Sequence, residues 1–331
     1  MKKNKTKLLL GIIFSALAIT SCIKNEVPDN KLITEVLPKL TDYKMYEGTL
    51  SDLKPANGYV LYEESSALFT DSCEKQRLIM IPTGTKMTAN SSGLPVFPEG
   101  TVVAKTFYYI NDKQNTASKK QIIETRVLIY TKSKWIGGTY EWNTAQTEAT
   151  LLINGDSIPV NWKDENGKSH SIEFKIAKES DCFTCHKSNG QIAPIGPQIK
   201  FWNRDVNRDN KTINQLTYFQ NIGILNTIDA KLQASFVKVP DYSNPTNTIA
   251  DRARSYLDAN CAYCHSDLGF ASTYSVLRLN YELELDKTNI KAKKTDILRR
   301  MDKGTMPMIP NAIIDKEAIA IIAKYFATIP N

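Results

Sequence analysis

Four of the six cysteines stand in two runs, Cys182-Phe183-Thr184-Cys185-His186 and Cys261-Ala262-Tyr263-Cys264-His265. Two thiols at this spacing lie one helical turn apart, so each can form a thioether with one vinyl group of a haem. The histidine that follows is placed to bind the iron. Two of the three histidines in the chain close these runs. The spacing predicts two covalently attached c-type haems, with Cys182, Cys185, Cys261 and Cys264 as attachment points and His186 and His265 as iron ligands. A four-thiolate zinc site or redox-active disulfides use the same pairs. Zinc would leave both histidines unexplained, and a redox pair belongs in a strand-to-helix setting that the sequence does not offer.

The N-terminus predicts export. Lys2, Lys3, Lys5 and Lys7 precede the apolar run Leu8 to Ile19, the layout of a secretory signal peptide. As a helix those residues would rise only about 18 Å, short of a bilayer core of about 30 Å. Ile19-Thr20-Ser21-Cys22 resembles the lipobox of bacterial lipoproteins, which implies a signal peptide over 1–21 and a lipid on Cys22. The 331-residue chain has 42 Lys and Arg against 35 Asp and Glu, a charge of +7. Loss of residues 1–21 removes four of those lysines and no acid. The remaining excess is too small to suggest nucleic acid as a partner. Cys73 then has no thiol to pair with and reads as a small buried hydrophobe.

The elements that must position the two runs follow from periodicity. Residues 22–47 form a polar tether. Across 48–178, short β-branched and aromatic runs such as 77–81, 101–110, 126–130 and 149–153 alternate with turn residues, which predicts an all-β domain. Residues 179–245 carry the first run and a linker. There Thr212 is expected to cap a helix carrying Ile213, Leu216 and Phe219, with Gly223 as its stop. Residues 246–331 carry the second run, a helix over 249–259 leading into it, and a last helix capped by Asp315. Ile319, Ile322, Ala323 and Phe326 lie on one face of that last helix. The fold class expected is α+β multidomain, an N-terminal all-β domain followed by an α-helical haem-binding region.

A helix running into Cys-x-x-Cys-His, a Met-Pro and a terminal amphipathic helix resemble the cytochrome c fold over residues 246–329. That resemblance implies Cys261 and Cys264 as thioethers, His265 as proximal ligand and Met306 as the sixth ligand of the second iron. Met308 and Met301 compete with Met306 for that role. The whole layout is similar to a group of exported di-haem cytochromes. The first haem has no such helix before it, because 169–176 alternates like a strand. His170, Met80 and Met87 are its candidate sixth ligands, and an empty position is the alternative. The segment Ala193 to Pro197 offers a carbonyl to orient His186.

The function these readings predict is electron transfer by a lipid-anchored di-haem cytochrome on the periplasmic side of the inner or outer membrane, with redox proteins as partners. A di-haem enzyme with an open first haem, peroxidase-like or acting on a small substrate, is the alternative. A third reading makes the β part a binding module whose site is lined by Trp135, Tyr140, Trp142 and Trp162, although strand aromatics are more often core.

Overall fold

The computed structural model describes residues 32–91, 93–308 and 312–330. The signal segment 1–21 and Cys22 lie outside the described residues. From Leu32 onward the chain forms one compact unit.

Its body is an antiparallel meander of six strands: β1 (Tyr59–Leu61), β2 (Glu74–Met80), β3 (Val102–Ile110), β4 (Lys120–Thr131), β5 (Lys134–Trp142) and β6 (Ala149–Leu152), in that spatial order. Each pairs with its sequence neighbour, and β3 bulges against β4 between Phe107 and Tyr108. Because side chains alternate across a strand, one face carries Leu78, Ala104, Val127 and Tyr140. These pack on Leu40, Tyr43 and Leu53 from the segment before β1. The opposite face carries two separate apolar patches. At one end Ile79, Val103 and Trp135 pack with Trp202, Leu216 and Phe219. At the other, Phe107 and Tyr109 pack with Val160, Trp162 and Phe174 of the hairpin β7 (Asp156–Lys163) and β8 (Ser169–Ile176).

Beyond β8 come α1 (Cys182–His186), the two-residue strands β9 (Lys187–Ser188) and β10 (Gln191–Ile192), α2 (Ile199–Trp202), a second hairpin β11 (Asp205–Arg208) and β12 (Lys211–Asn214), α3 (Gln215–Asn221) and α4 (Ala230–Ala234). Then follow α5 (Ile249–Leu257), α6 (Leu285–Thr288), α7 (Ile290–Asp302) and α8 (Lys316–Thr328). Thr248 caps α5 by accepting from the Asp251 amide at 3.1 Å. Asp315 caps α8 by accepting from the Ala318 amide at 2.9 Å, the role its position predicts. Ala253, Leu257, Ile297, Ile322 and Phe326 of α5, α7 and α8 share a core, and Phe69 from the β1–β2 connection packs against it.

The expected architecture is corrected. The described residues are mostly β, built on the six-stranded sheet, and an α-helical haem-binding region ending in a cytochrome c fold does not follow as a separate part. The first motif occupies a five-residue helix between strands. Asn189 and Gly190, both at positive φ, form the tight turn that joins β9 to β10, as Asn-Gly does in two-residue hairpins. The helix expected from Thr212 starts later, because Asp209 and Asn210 at positive φ turn β11 into β12. Asn214 is its cap, accepting from the Leu216 amide.

Candidate functional site

The first motif enters from β8 through a short turn over Glu179–Asp181, which brings Cys182 and Cys185 onto one side of α1. The β9–β10 hairpin then folds the chain back on the motif. His186 Nδ1 donates to the Ala193 carbonyl at 2.8 Å, and the Ala193 amide returns a bond to the His186 carbonyl at 2.7 Å. The proton is thereby held on Nδ1, and the Nε2 lone pair is left for a ligand. The carbonyl comes from the proline-rich follow-on, where the sequence places it. Burial, with the charge of Lys105, lowers His186 to about 4, so the ring is neutral at physiological pH.

The second motif is reached through α5, whose last turn widens into a π-turn over Asp258–Ala262, a distortion often found at functional sites. Two polar anchors fix that turn to the rest of the molecule. Asp258 accepts from Lys200 Nζ of α2 at 2.6 Å and from the Tyr281 amide at 3.1 Å. Asn260 Oδ1 accepts from the Phe69 amide at 2.6 Å, while its Nδ2 donates to the Tyr256 carbonyl at 3.1 Å. Lys200 and Asp258 are both almost wholly buried, and Glu282 completes the cluster at 3.0 Å from Lys200. Burial lowers Lys200, but the two carboxylates raise it further and hold it above its ordinary value.

The fold brings the two motifs together. Cys264 Sγ lies 3.6 Å from the Thr184 carbonyl, and the Asn189 amide donates to the Leu268 carbonyl at 3.0 Å. Lys187 Nζ rests over the rings of Phe183 and Phe270, one from each motif's surroundings, at 5.9 and 5.6 Å. Cys182, Cys185, His186, Cys261, Cys264 and His265 all line a single cleft. Its enclosed volume of about 210 Å³ is below the roughly 300–1,000 Å³ of a typical ligand pocket. A group as large as a porphyrin would therefore extend into the open mouth.

The methionines Met301, Met306 and Met308 line the same cleft. Met301 lies near the end of α7, with Met306 and Met308 after it; beyond them Ile313 is hooked to the sheet, since Asp71 Oδ1 accepts from its amide at 2.8 Å and the Asp71 carbonyl accepts from Tyr109 Oη at 2.8 Å. Of the candidates for the first iron, none lines the cleft. His170 Nε2 donates to the Asp164 carboxylate at 2.8 Å, and its ring stacks on Trp162 at 4.8 Å. Met87 is fully buried in the patch with Trp202 and Phe219, and Met80 packs against the opposite sheet face. Arg126 lines the cleft from β4; it ends the run Ile123-Glu124-Thr125-Arg126, one of the β-part stretches in which the chain resembles exported di-haem cytochromes, but sequence reasoning gave it no role in the site.

The chemistry of the set suits a covalently held haem. All four motif thiols are free. Burial pushes Cys261 and Cys264 up to about 12, and it raises Cys182 and Cys185 against the lowering charge of Arg126. A thioether sulfur carries no charge, so this desolvated setting suits it better than a free thiolate. Among the described residues no three His, Cys, Asp or Glu side chains converge on one point as a metal cluster, so the thiols are not gathered as a four-thiolate zinc set. The His265 imidazole makes no hydrogen bond among the described residues, and its Nδ1 is buried without a partner. His265 lines the cleft, and unlike His186 it has no carbonyl on Nδ1 to fix its tautomer.

The other readings are resolved by burial. Trp135, Tyr140, Trp142 and Trp162 are all core residues, so they do not line a binding face. Cys73 is buried among Phe107, Tyr109 and Ile123. No described helix is long and apolar enough to cross a membrane. Comparison of the chain with family models, with curated proteins and with solved structures finds no match.

Proposed function

We propose that the chain is a lipid-anchored di-haem c-type cytochrome that passes electrons in the cell envelope. The observation that carries this reading is the meeting of the two Cys-x-x-Cys-His motifs in one cleft, with Cys264 Sγ 3.6 Å from the Thr184 carbonyl. Cys182 and Cys185 would hold one haem and Cys261 and Cys264 the other. When bound, each haem supplies a one-electron couple whose potential follows its axial ligands and burial. The chain's own residues do the positioning. Ala193 fixes the tautomer of His186, Asp258 and Asn260 hold the turn that presents Cys261, and Asp71 anchors the backbone at Ile313 beyond Met306 and Met308. Neighbouring attachment points make a short relay, and the open mouth gives a redox partner access to it. Cys22 would tether the chain to the periplasmic side of the inner or outer membrane.

Protein made with the haem-maturation machinery should show a Soret band and two haems per chain by pyridine haemochrome; a colourless product would end the reading. Met306 is proposed as the sixth ligand of the second iron. Met306→Ala should abolish the weak far-red absorption band that His/Met ligation produces, whereas an unchanged band would move the role to Met308 or Met301.

One observation favours a second reading, an enzyme with an open first haem: none of His170, Met80 and Met87 reaches the cleft. Carbon monoxide binding by one haem of the reduced protein, with peroxide turnover, would select it. Two six-coordinate haems select the carrier.

A further inference from the structure

In each Cys-x-x-Cys-His run the third residue stands apart from the groups that would hold a haem. The Cys264 and His265 amides both donate to the Cys261 carbonyl, at 3.1 and 2.9 Å, so the second run is itself a helical turn. At about 100° per residue, Cys261, Cys264 and His265 share one side of that turn, and Tyr263 leaves from the other. Thr184 holds the same position in α1 relative to Cys182, Cys185 and His186. Both Tyr263 and Thr184 nevertheless line the shared cleft.

The third positions are where the two motifs meet. The Thr184 carbonyl lies 3.6 Å from Cys264 Sγ. Tyr263, the residue before Cys264, looks back across the cleft toward Cys185. Burial raises its phenol well above the ordinary range, and the charge of Cys185 adds more to this than that of either thiol of its own motif. The phenol is therefore neutral.

Tyr263 has no other packing to do. It is half-buried, yet among the described residues it belongs to none of the apolar cores, and its hydroxyl makes no hydrogen bond. An aromatic ring contributes through the apolar area it buries, about 150–250 Å² when fully covered. A flat apolar group bonded to Cys185 starts on the side to which this ring is turned. We propose that Tyr263, although carried by the second motif, walls the site of the haem attached at Cys182 and Cys185. This assignment rests on the di-haem reading above. It makes Tyr263 a positioning residue, whose ring keeps water from the side of the first haem that faces the second. A drier setting favours the less charged, ferrous state.

The test uses the full-length haem-loaded protein, with the haem count taken first; a native protein with fewer than two haems fails at the earlier step. With two haems present, Tyr263→Ala is expected to shift the reduction equilibrium of one haem about fivefold toward the oxidised form, a fall of about 40 mV for a one-electron couple. The other haem should be unmoved. Tyr263→Phe keeps the ring and should keep both native potentials. One-haem proteins identify the haem that responds. With Cys182 and Cys185 replaced by alanine, the remaining second haem should ignore Tyr263→Ala; with Cys261 and Cys264 replaced instead, the remaining first haem should follow it. Unmoved potentials in Tyr263→Ala would overturn the assignment. So would a shift that persists when only the second haem is present, because Tyr263 would then serve its own motif. A phenylalanine variant that behaves like the alanine one would also overturn it, since the role would belong to the hydroxyl and not to the ring.

Discussion

Replacing Cys182 and Cys185 together by alanine is expected to lower the haem content from two per chain to one and to leave the spectrum of the other haem in place. The second motif does not lean on the first for its shape. Its approach is fixed by Lys200–Asp258 and by Asn260 on the β1–β2 connection, and its helix packs on α7 and α8. The contacts between motifs are few: Thr184 with Cys264, and Asn189 with Leu268. These two use backbone atoms on the first motif's side, and the Lys187 contact with Phe270 uses a side chain that the double substitution keeps. Intact mass, which falls by one haem, and the pyridine haemochrome both measure the effect. Loss of both haems would show that the sites are built cooperatively, and retention of two would show that the thioethers are not what holds them.

A larger structural effect is expected from Asp258→Ala. Lys200 lies 1% exposed, with Asp258 at 2.6 Å and Glu282, itself about a third exposed, at 3.0 Å. Removing Asp258 leaves a buried ammonium with one partly solvated partner, and breaking a buried pair in this way costs about 3–5 kcal/mol. Glu282 remains, so the low end of that range is expected. The Tyr281 amide also loses its acceptor. Denaturant unfolding should report the loss, and a double replacement, Lys200→Met with Asp258→Leu, should recover most of it, because well-packed apolar residues often match a buried ion pair. A single variant as stable as the native protein would mean that the cluster is wetter than its burial indicates.

The chemistry was far more legible in the sequence than the architecture that presents it. Cys-x-x-Cys-His is a local pattern, and six of the site residues can be read from it directly. The β-rich character of 48–178 and the cap at Asp315 are also local, being matters of alternation and of one side chain bonding the next turn. The failures are tertiary. β5 escaped because Gly137 and Gly138 interrupt its pattern, yet at Gly137 a Cβ would lie 2.7 Å from the Val127 carbonyl oxygen, while at Gly138 it would push on Leu151 Cδ1 at 2.6 Å. The hairpins at Asn189-Gly190 and Asp209-Asn210 were legible as turn chemistry, but helical expectation around the first motif masked them. The sharing of one cleft by both motifs depends on contacts such as Phe69 with Asn260, 191 residues apart, which no local pattern encodes.

Because the sheet and both attachment points belong to one compact unit, the chain has no half that could close and be furnished afterwards. Thiols half-hidden in the finished molecule, and held protonated there, are poorly placed to react. On the proposed reading, both porphyrins are stitched in while the polypeptide is still open, and packing of the chain around the cleft then seals what the assembly machinery has already delivered.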